Sequence, residues 1–301
     1  MSVASMALPD RAYGPDAAVR KRLLPFGIEH PAKLNLHLLG DLLRRYTRPG
    51  HLLLDPFGGV GSLLMACLPP TPRHVLLVEL EKKYCQAAGA NAGHIAATLP
   101  GLARGQATVL QGDSRCLPLP TASADCALTS PPYERQITQG GETGAWRAKY
   151  GYQQANAGYS RARDNIGNAG AADYATAVRT AYAECFRVVR PGGLLVLVVG
   201  DYVRDGQVIA LGEASVALAG AVGWTPLERW RHAKGQLSFW RLLHARHGQP
   251  VIAHEHILVF CKGPRPAWPL LALPPATRAA AVLPASGGLG LGAAPGLGAA
   301  A

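Results

Sequence analysis

His51-Leu-Leu-Leu-Asp55-Pro56-Phe57-Gly58-Gly59-Val-Gly61-Ser62 is the stretch whose reading decides the fold. Three consecutive leucines form the short apolar run of a buried strand, and Asp55 and Pro56 end it. The glycines at 58, 59 and 61 then let the backbone turn sharply into a helix beginning near Ser62. In a parallel α/β sheet, such a turn opens at the carboxyl end of the first strand, where ligands bind and glycine lets main chain approach them closely. The spacing is neither that of a phosphate loop nor that of a dinucleotide fingerprint, so the expected ligand is a nucleotide-like cofactor without a diphosphate. A tight turn with no ligand is the plainer alternative.

Working downstream, His74-Val-Leu-Leu-Val-Glu79 has the form of a second parallel strand closed by an acid. An acid there can accept hydrogen bonds from both hydroxyls of a ribose, which makes Glu79 a cofactor candidate with Glu81 as fallback. A capping or surface glutamate is the competing reading. A helix over 82–97 follows. Thr108 to Ser114 reads as a third strand ending in Gly112-Asp113, where Asp113 as an ordinary turn residue competes with a ligand role. Ala124 to Thr129 is the fourth strand, and it delivers Ser130-Pro131-Pro132-Tyr133.

With both stretches in view, the chain resembles the amino-group DNA methyltransferases, which use S-adenosylmethionine to methylate cytosine N4 or adenine N6. Asp55 to Ser62 is similar to their cofactor loop, and Ser130 to Tyr133 to their catalytic loop. The resemblance covers roughly residues 26–263. It implies an α/β, Rossmann-like class I methyltransferase fold: a mostly parallel seven-stranded sheet with the last strand antiparallel and helices on both faces. It also implies cofactor contacts at Asp55, Pro56, Phe57, Gly59, Gly61, Ser62 and Glu79. Asp113 would lie near the cofactor's adenine amino group. His30-Pro-Ala-Lys33 resembles the segment that leads a helix toward the methionine end, which brings in His30 and Lys33; an ordinary helix start is the alternative. Gly58 and Ser62 stand where the family usually has alanine and threonine.

The chemistry fits the catalytic loop. An exocyclic amino nitrogen has its lone pair delocalised into the ring and attacks poorly, so acceptors aimed at its two hydrogens favour the transition state. Ser130 Oγ and the Pro131 carbonyl would be those acceptors. Two prolines fix φ and remove competing N–H donors, and Tyr133 offers a ring face to an extruded base. The chain contains no Pro-Cys dipeptide, so direct transfer to nitrogen is expected rather than a covalent cysteine route. In the family, serine at the first loop position leans toward cytosine N4, aspartate toward adenine N6. Adenine in DNA, an amino group in RNA such as tRNA, and a non-catalytic nucleic-acid-binding protein of this fold are the alternatives.

Charge and composition bound the partners. The 301 residues carry 30 Lys and Arg against 19 Asp and Glu, a formal charge of +11, which suits a polyanion. Residues 134–172 read as an irregular insertion and candidate DNA-recognition loop, rich in cations and aromatics; Arg135, Arg147, Lys149, Tyr150, Arg161 and Arg163 are its nucleic-acid-binding candidates. Arg229, Arg231, Lys234 and Arg241 form a second basic stretch. Double-stranded DNA with a flipped target base is the expected partner, and a cognate restriction enzyme a further one. His254 and His256 alternate on a final strand with no third ligand evident, so no metal is expected. Six scattered cysteines and the absence of a membrane-length apolar span fit a reduced, cytoplasmic protein. Residues 1–24 read as a flexible segment whose basic run Arg20, Lys21 and Arg22 is solvated, 25–263 as the methyltransferase domain and 264–301 as a low-complexity tail.

Overall fold

The computed structural model describes residues 10–27, 30, 33–98, 104–134, 164–204, 206–234 and 250–273. The strands are β1 (Arg11–Ala12), β2 (Leu52–Asp55), β3 (His74–Glu79), β4 (Ala107–Gln111), β5 (Ala124–Thr129), β6 (Val189–Val199), β7 (Tyr202–Arg204), β8 (Gln207–Ile209), β9 (Thr225–Ala233) and β10 (His254–Cys261). Eight of them form one sheet in the order β1-β9-β10-β6-β5-β2-β3-β4, while β7 and β8 form a separate small hairpin. Every neighbouring pair in the large sheet is parallel except those of β10, which runs antiparallel to β6 and β9. The expected seven strands with an antiparallel last one are therefore present, with the two-residue β1 added beside β9.

The helices are α1 (Ala17–Leu23), α2 (Leu36–Tyr46), α3 (Lys82–Thr98), α4 (Ala171–Val188) and α5 (Leu211–Val222). Asn35 starts α2 by accepting hydrogen bonds on its side chain from the His37 and Leu38 N–H groups. Its leucines at 36, 38, 39, 42 and 43 are buried. Gly223, at φ +112°, ends α5 with its N–H turned back to the Gly220 carbonyl. After the glycine loop the chain makes a 3₁₀ turn over Ser62–Cys67 instead of the short α-helix expected, because Pro69-Pro70 leaves no room for further helical turns.

Alternation along the strands fills a core on each face of the sheet. Leu53, Val196, Trp230 and Ile257 pack with the α2 leucines on one face. Leu54, Leu195, Leu197 and Phe260 pack with Val178 and Tyr182 of α4 and Trp224 on the other. The parallel register sets Asp55 beside Leu77 and Glu79 beside Gln111, so β2, β3, β4 and β5 all end along one edge.

Both ends of the described chain are tied to this body. Residues 10–24, read from sequence as a flexible segment, supply β1 and α1, and Arg20 is 7 % exposed rather than part of a solvated basic run. It donates to Asp16 Oδ2 at 2.8 Å, to the Leu34 carbonyl at 2.6 Å and to Ser62 Oγ at 3.1 Å. Trp268, from the segment read as a tail, is buried; its indole N–H donates to the Tyr46 carbonyl at 3.1 Å and its ring meets His51 edge-on. Apolar contact and one satisfied indole suffice to dock this end. Residues 274–301 lie outside the described residues.

Candidate active site

The carboxyl ends of β2, β3 and β5 open into a cavity of about 340 Å³. At one end the glycine loop is held by acids. Asp55 is 9 % exposed, and its Oδ1 accepts both the Phe57 N–H at 3.0 Å and the Thr129 hydroxyl at 2.6 Å. The same carboxyl thus joins the loop after β2 to the last residue of β5. Burial raises its pKa to about 7, against the lowering effect of the Thr129 and Phe57 hydrogen bonds and with a further push from Glu79.

Glu79 closes β3 with both carboxylate oxygens engaged. Oε2 accepts the Gly59 N–H at 2.7 Å and Oε1 the Glu81 N–H at 2.8 Å. Burial pushes its pKa upward despite those N–H donors. Gly59, at φ +51°, turns its N–H toward the acid, and a Cβ there would sit 3.3 Å from His30 Nε2. Gly61, at φ +87°, has another duty. It initiates the 3₁₀ turn, a Cβ on it would lie 2.6 Å from Leu64 Cδ1, and it does not line the cavity. His30 is buried edge-on against Tyr84 with ring centroids 4.3 Å apart, and Lys33 Nζ donates to the His30 carbonyl at 2.5 Å.

Asp113 follows β4 beside the end of β3, where the Gly112 N–H donates to the Glu79 carbonyl at 3.0 Å, and it pairs with the Arg115 guanidinium at 2.6 Å. Burial pushes its pKa up, but the hydrogen bonds from Arg115 outweigh it and hold the carboxyl below its usual value. It is both things the sequence allowed: a turn residue, accepting the Arg115 N–H at 2.8 Å, and a cavity-lining one.

At the far end, Ser130, Pro131, Pro132 and Tyr133 form a rigid wall. The Pro132 carbonyl accepts the Tyr174 hydroxyl at 2.8 Å, so α4 braces the loop from behind. The Gly200 N–H donates to the Tyr133 hydroxyl at 2.8 Å, and Tyr202 stacks on Tyr133 at 6.1 Å with the rings 13° apart. Burial, with Glu255 and Asp201 nearby, raises the Tyr133 pKa and keeps it a neutral phenol.

Of the residues read from sequence, His30, Lys33, Asp55, Pro56, Phe57, Gly59, Ser62, Glu79, Asp113 and Ser130 to Tyr133 line this one cavity. The second basic stretch is divided. Arg229 and Arg231 project from the opposite face of β9 to Lys234, by the two-residue period of a strand. Arg229 pairs with Glu213 at 2.5 Å and Arg231 with Asp10 at 3.0 Å, whereas Lys234 joins the cavity beside Ser130 and Tyr133. Arg135, Arg147, Lys149, Tyr150, Arg161, Arg163 and Arg241 lie outside the described residues.

Sequence reading missed Glu255 and Asn165, which also line the cavity. Glu255 sits between two histidines on an apolar strand and carries no motif, and Asn165 follows a stretch without periodicity. It also missed a third group beside the histidine pair. Ligand atoms of Asp201, His254 and His256 lie within 4.8 Å of one another. Hydrogen bonding accounts for the approach of Asp201 to His256: Arg229 can only donate, so His256 Nδ1 accepts from it at 3.3 Å and Nε2 gives its proton to Asp201 at 3.1 Å, while His254 meets the His256 ring edge-on at 4.7 Å.

Residues 16–90 match a family model described as DNA methylase (N6_N4_Mtase). That quarter of the chain holds α1, α2, the glycine loop and Glu79, and stops before Ser130. No curated protein matches the chain. Among solved structures it is similar to TrmN from Thermus thermophilus, with 20 % identity over 77 % of this chain and 50 % of that one and a TM-score of 0.43. The chain thus spans about half the length of TrmN. It is also similar to a SAM-dependent methyltransferase from Methanosarcina mazei (14 % identity, 72 % and 94 % covered, TM-score 0.42). A third is the arsenic(III) S-adenosylmethionine methyltransferase of Chlamydomonas reinhardtii (17 % identity, 84 % and 76 % covered, TM-score 0.45).

Proposed function

We propose that this protein is an S-adenosylmethionine-dependent methyltransferase that acts on the exocyclic amino nitrogen of a DNA base, cytosine N4 before adenine N6. The observation that carries this reading is that one cavity joins the glycine loop and Glu79 to the Ser130-Pro131-Pro132-Tyr133 wall. A cofactor bound at one end would thereby face a base at the other.

The lining suits that cofactor. Glu79 sits at the end of β3 with lone pairs left over after its backbone N–H donors, as a ribose needs. Gly59 leaves the loop without a side chain against His30. Among the described residues Asp55 is engaged through Oδ1, which leaves Oδ2 for a cationic or N–H group of the ligand. The cofactor supplies an electrophilic methyl group on a sulfonium.

The chain supplies position. Ser130 Oγ and the Pro131 carbonyl accept the two amino hydrogens, and the nitrogen lone pair is drawn out of the ring toward the methyl carbon. A cofactor held there would give its methyl to that nitrogen, the S–C bonding pair remaining on its sulfur, and the methylated nitrogen would release its extra proton to water. Tyr133, clamped by Gly200 and Tyr202, holds the base plane so that little orientation entropy is lost at the moment of reaction.

The test is transfer of labelled methyl from S-adenosylmethionine to unmethylated genomic DNA, followed by digestion to nucleosides and mass spectrometry. N4-methylcytosine is the expected product. N6-methyladenine would replace the base, and label in tRNA but not DNA would replace the polymer. Ser130→Ala and Tyr133→Ala both transferring normally would sink the assignment of the loop.

A further inference from the structure

Two opposite charges meet at the end of the cavity away from Glu79. Lys234 follows β9 and Glu255 lies second in β10, and Lys234 Nζ is 3.4 Å from Glu255 Oε1. The Lys234 N–H donates to the Ala253 carbonyl at 2.8 Å, so the two strands fix where both side chains start. Both side chains close on Gly200. A Cβ at that glycine would lie 2.9 Å from the Tyr133 hydroxyl, 3.4 Å from Lys234 Nζ and 3.6 Å from Glu255 Cγ. The ammonium, the carboxylate and the Tyr133 hydroxyl therefore share one corner of the cavity.

The pair is poorly suited to a purely structural role. Its side chains keep 22 % and 25 % of their exposure, too wet for a strong ion pair, yet they have given up most of their hydration. Among the described residues neither has another side-chain partner. An ammonium directed into a cavity beside a clamped aromatic ring is instead a donor waiting for an acceptor.

We infer that Lys234, oriented by Glu255, reads the ring edge next to the reacting amino group and selects bases whose amino group is flanked by acceptors. This deepens the base-methylation reading and rests on it. An ammonium only donates. With the amino hydrogens taken by Ser130 and Pro131, cytosine presents ring N3 and then O2, two adjacent acceptors that one ammonium serves together. Adenine presents ring N1 and then a carbon-bound hydrogen, so it offers one. Guanine and thymine present a ring N–H at the corresponding place, donor against donor, and a site built this way rejects them strongly. Lys234 thus accounts for acceptance of cytosine and adenine and for a preference for cytosine between them.

The experiment compares wild type, Lys234→Met, Lys234→Arg and Glu255→Gln as full chains. Each is assayed for methyl transfer to unmethylated genomic DNA, with N4-methylcytosine and N6-methyladenine counted separately, and for S-adenosylmethionine binding by calorimetry. Lys234→Met is expected to lose about tenfold or more in kcat/KM for cytosine, as for a lost hydrogen bond from a charged donor, with cofactor affinity unchanged within about twofold. Lys234→Arg is expected to restore most of the loss, and Glu255→Gln to show a smaller one. Normal transfer by Lys234→Met, or loss of cofactor binding in parallel with transfer, would overturn the assignment. A wild type that binds the cofactor but methylates no base would overturn the base reading, and the role of Lys234 with it.

Discussion

The Gly59 N–H donates to Glu79 Oε2 across 2.7 Å, and through that bond the glycine loop after β2 is fastened to the end of β3. The proposed cofactor loop is therefore held in one shape by β3. Glu79→Gln should disturb this directly, because an amide presents donor hydrogens to one of the backbone N–H groups that the carboxylate accepts. Hydrogen bonds to a charged group contribute about 1.5–3 kcal/mol, so S-adenosylmethionine affinity is expected to fall by roughly ten- to a hundredfold. Calorimetry on the purified variant checks this, and an unchanged Kd would remove Glu79 from the cofactor site.

Asp55 makes stability depend on pH in an unusual direction for a carboxyl. Its folded value, about 7, lies above the 3.8 of the free group, so the native state binds the proton more tightly. Its contribution is fully present below about pH 4 and is lost as pH rises through about 7. Each unit of displacement corresponds to about 1.4 kcal/mol, so the difference in unfolding free energy between wild type and Asp55→Asn should shrink by a few kcal/mol at most between pH 4 and 8. Denaturant titrations across that range provide the measurement. Two curves that run parallel would show that Asp55 is already ionised at pH 4.

Tyr133 separates ring from hydroxyl. Tyr133→Phe keeps the stack on Tyr202 and removes the acceptor of the Gly200 N–H, an unpaired backbone group that costs about 1–3 kcal/mol. A drop in Tm with kcat reduced less than about tenfold is expected. Tyr133→Ala removes the ring face proposed to hold the base and should cost about a hundredfold or more in kcat. If both variants lose kcat equally, the hydroxyl and not the ring is what the reaction needs.

Strand order and site legibility have the same source. β2, β3, β5 and β10 are buried parallel or paired strands, and a run of three or more apolar residues in each announces them. Asp55, Glu79 and Ser130 were legible because each stands at the end of such a run, where a parallel sheet opens. Lys234 was seen but placed with Arg229 and Arg231, since charge clustering along a sequence ignores the two faces of a strand. Glu255 was invisible: it is one acid on an apolar strand, and only the closure of β9 and β10 around Gly200 brings it to the cavity. Arg20 was misjudged for a similar reason. Three consecutive basic residues look solvated, and nothing local shows that the first one reaches Ser62, 42 positions on.

Arg20 gives the last prediction. Its guanidinium spans three groups at once, Asp16 beside α1, the Leu34 carbonyl before α2 and Ser62 Oγ at the start of the 3₁₀ turn. A planar fork does this with separate N–H groups, whereas an ammonium is a compact point on a flexible stem. Arg20→Lys should therefore keep the pairing with Asp16 while releasing Leu34 or Ser62, and Arg20→Ala should release all three and leave the Asp16 carboxylate, among the described residues, with the Leu36 N–H. Because Ser62 lines the cavity and Leu34 leads from Lys33 into α2, both variants are expected to weaken S-adenosylmethionine binding, alanine more than lysine. Removing one partner of a part-buried charged group costs about 3–5 kcal/mol at most, so a clear fall in Tm should accompany the weaker binding. Thermal unfolding with and without the cofactor reads both effects. If Arg20→Ala lowers Tm while the cofactor-induced rise in Tm stays as large as in wild type, α1 supports the fold alone and has no hold on the cofactor end of the site.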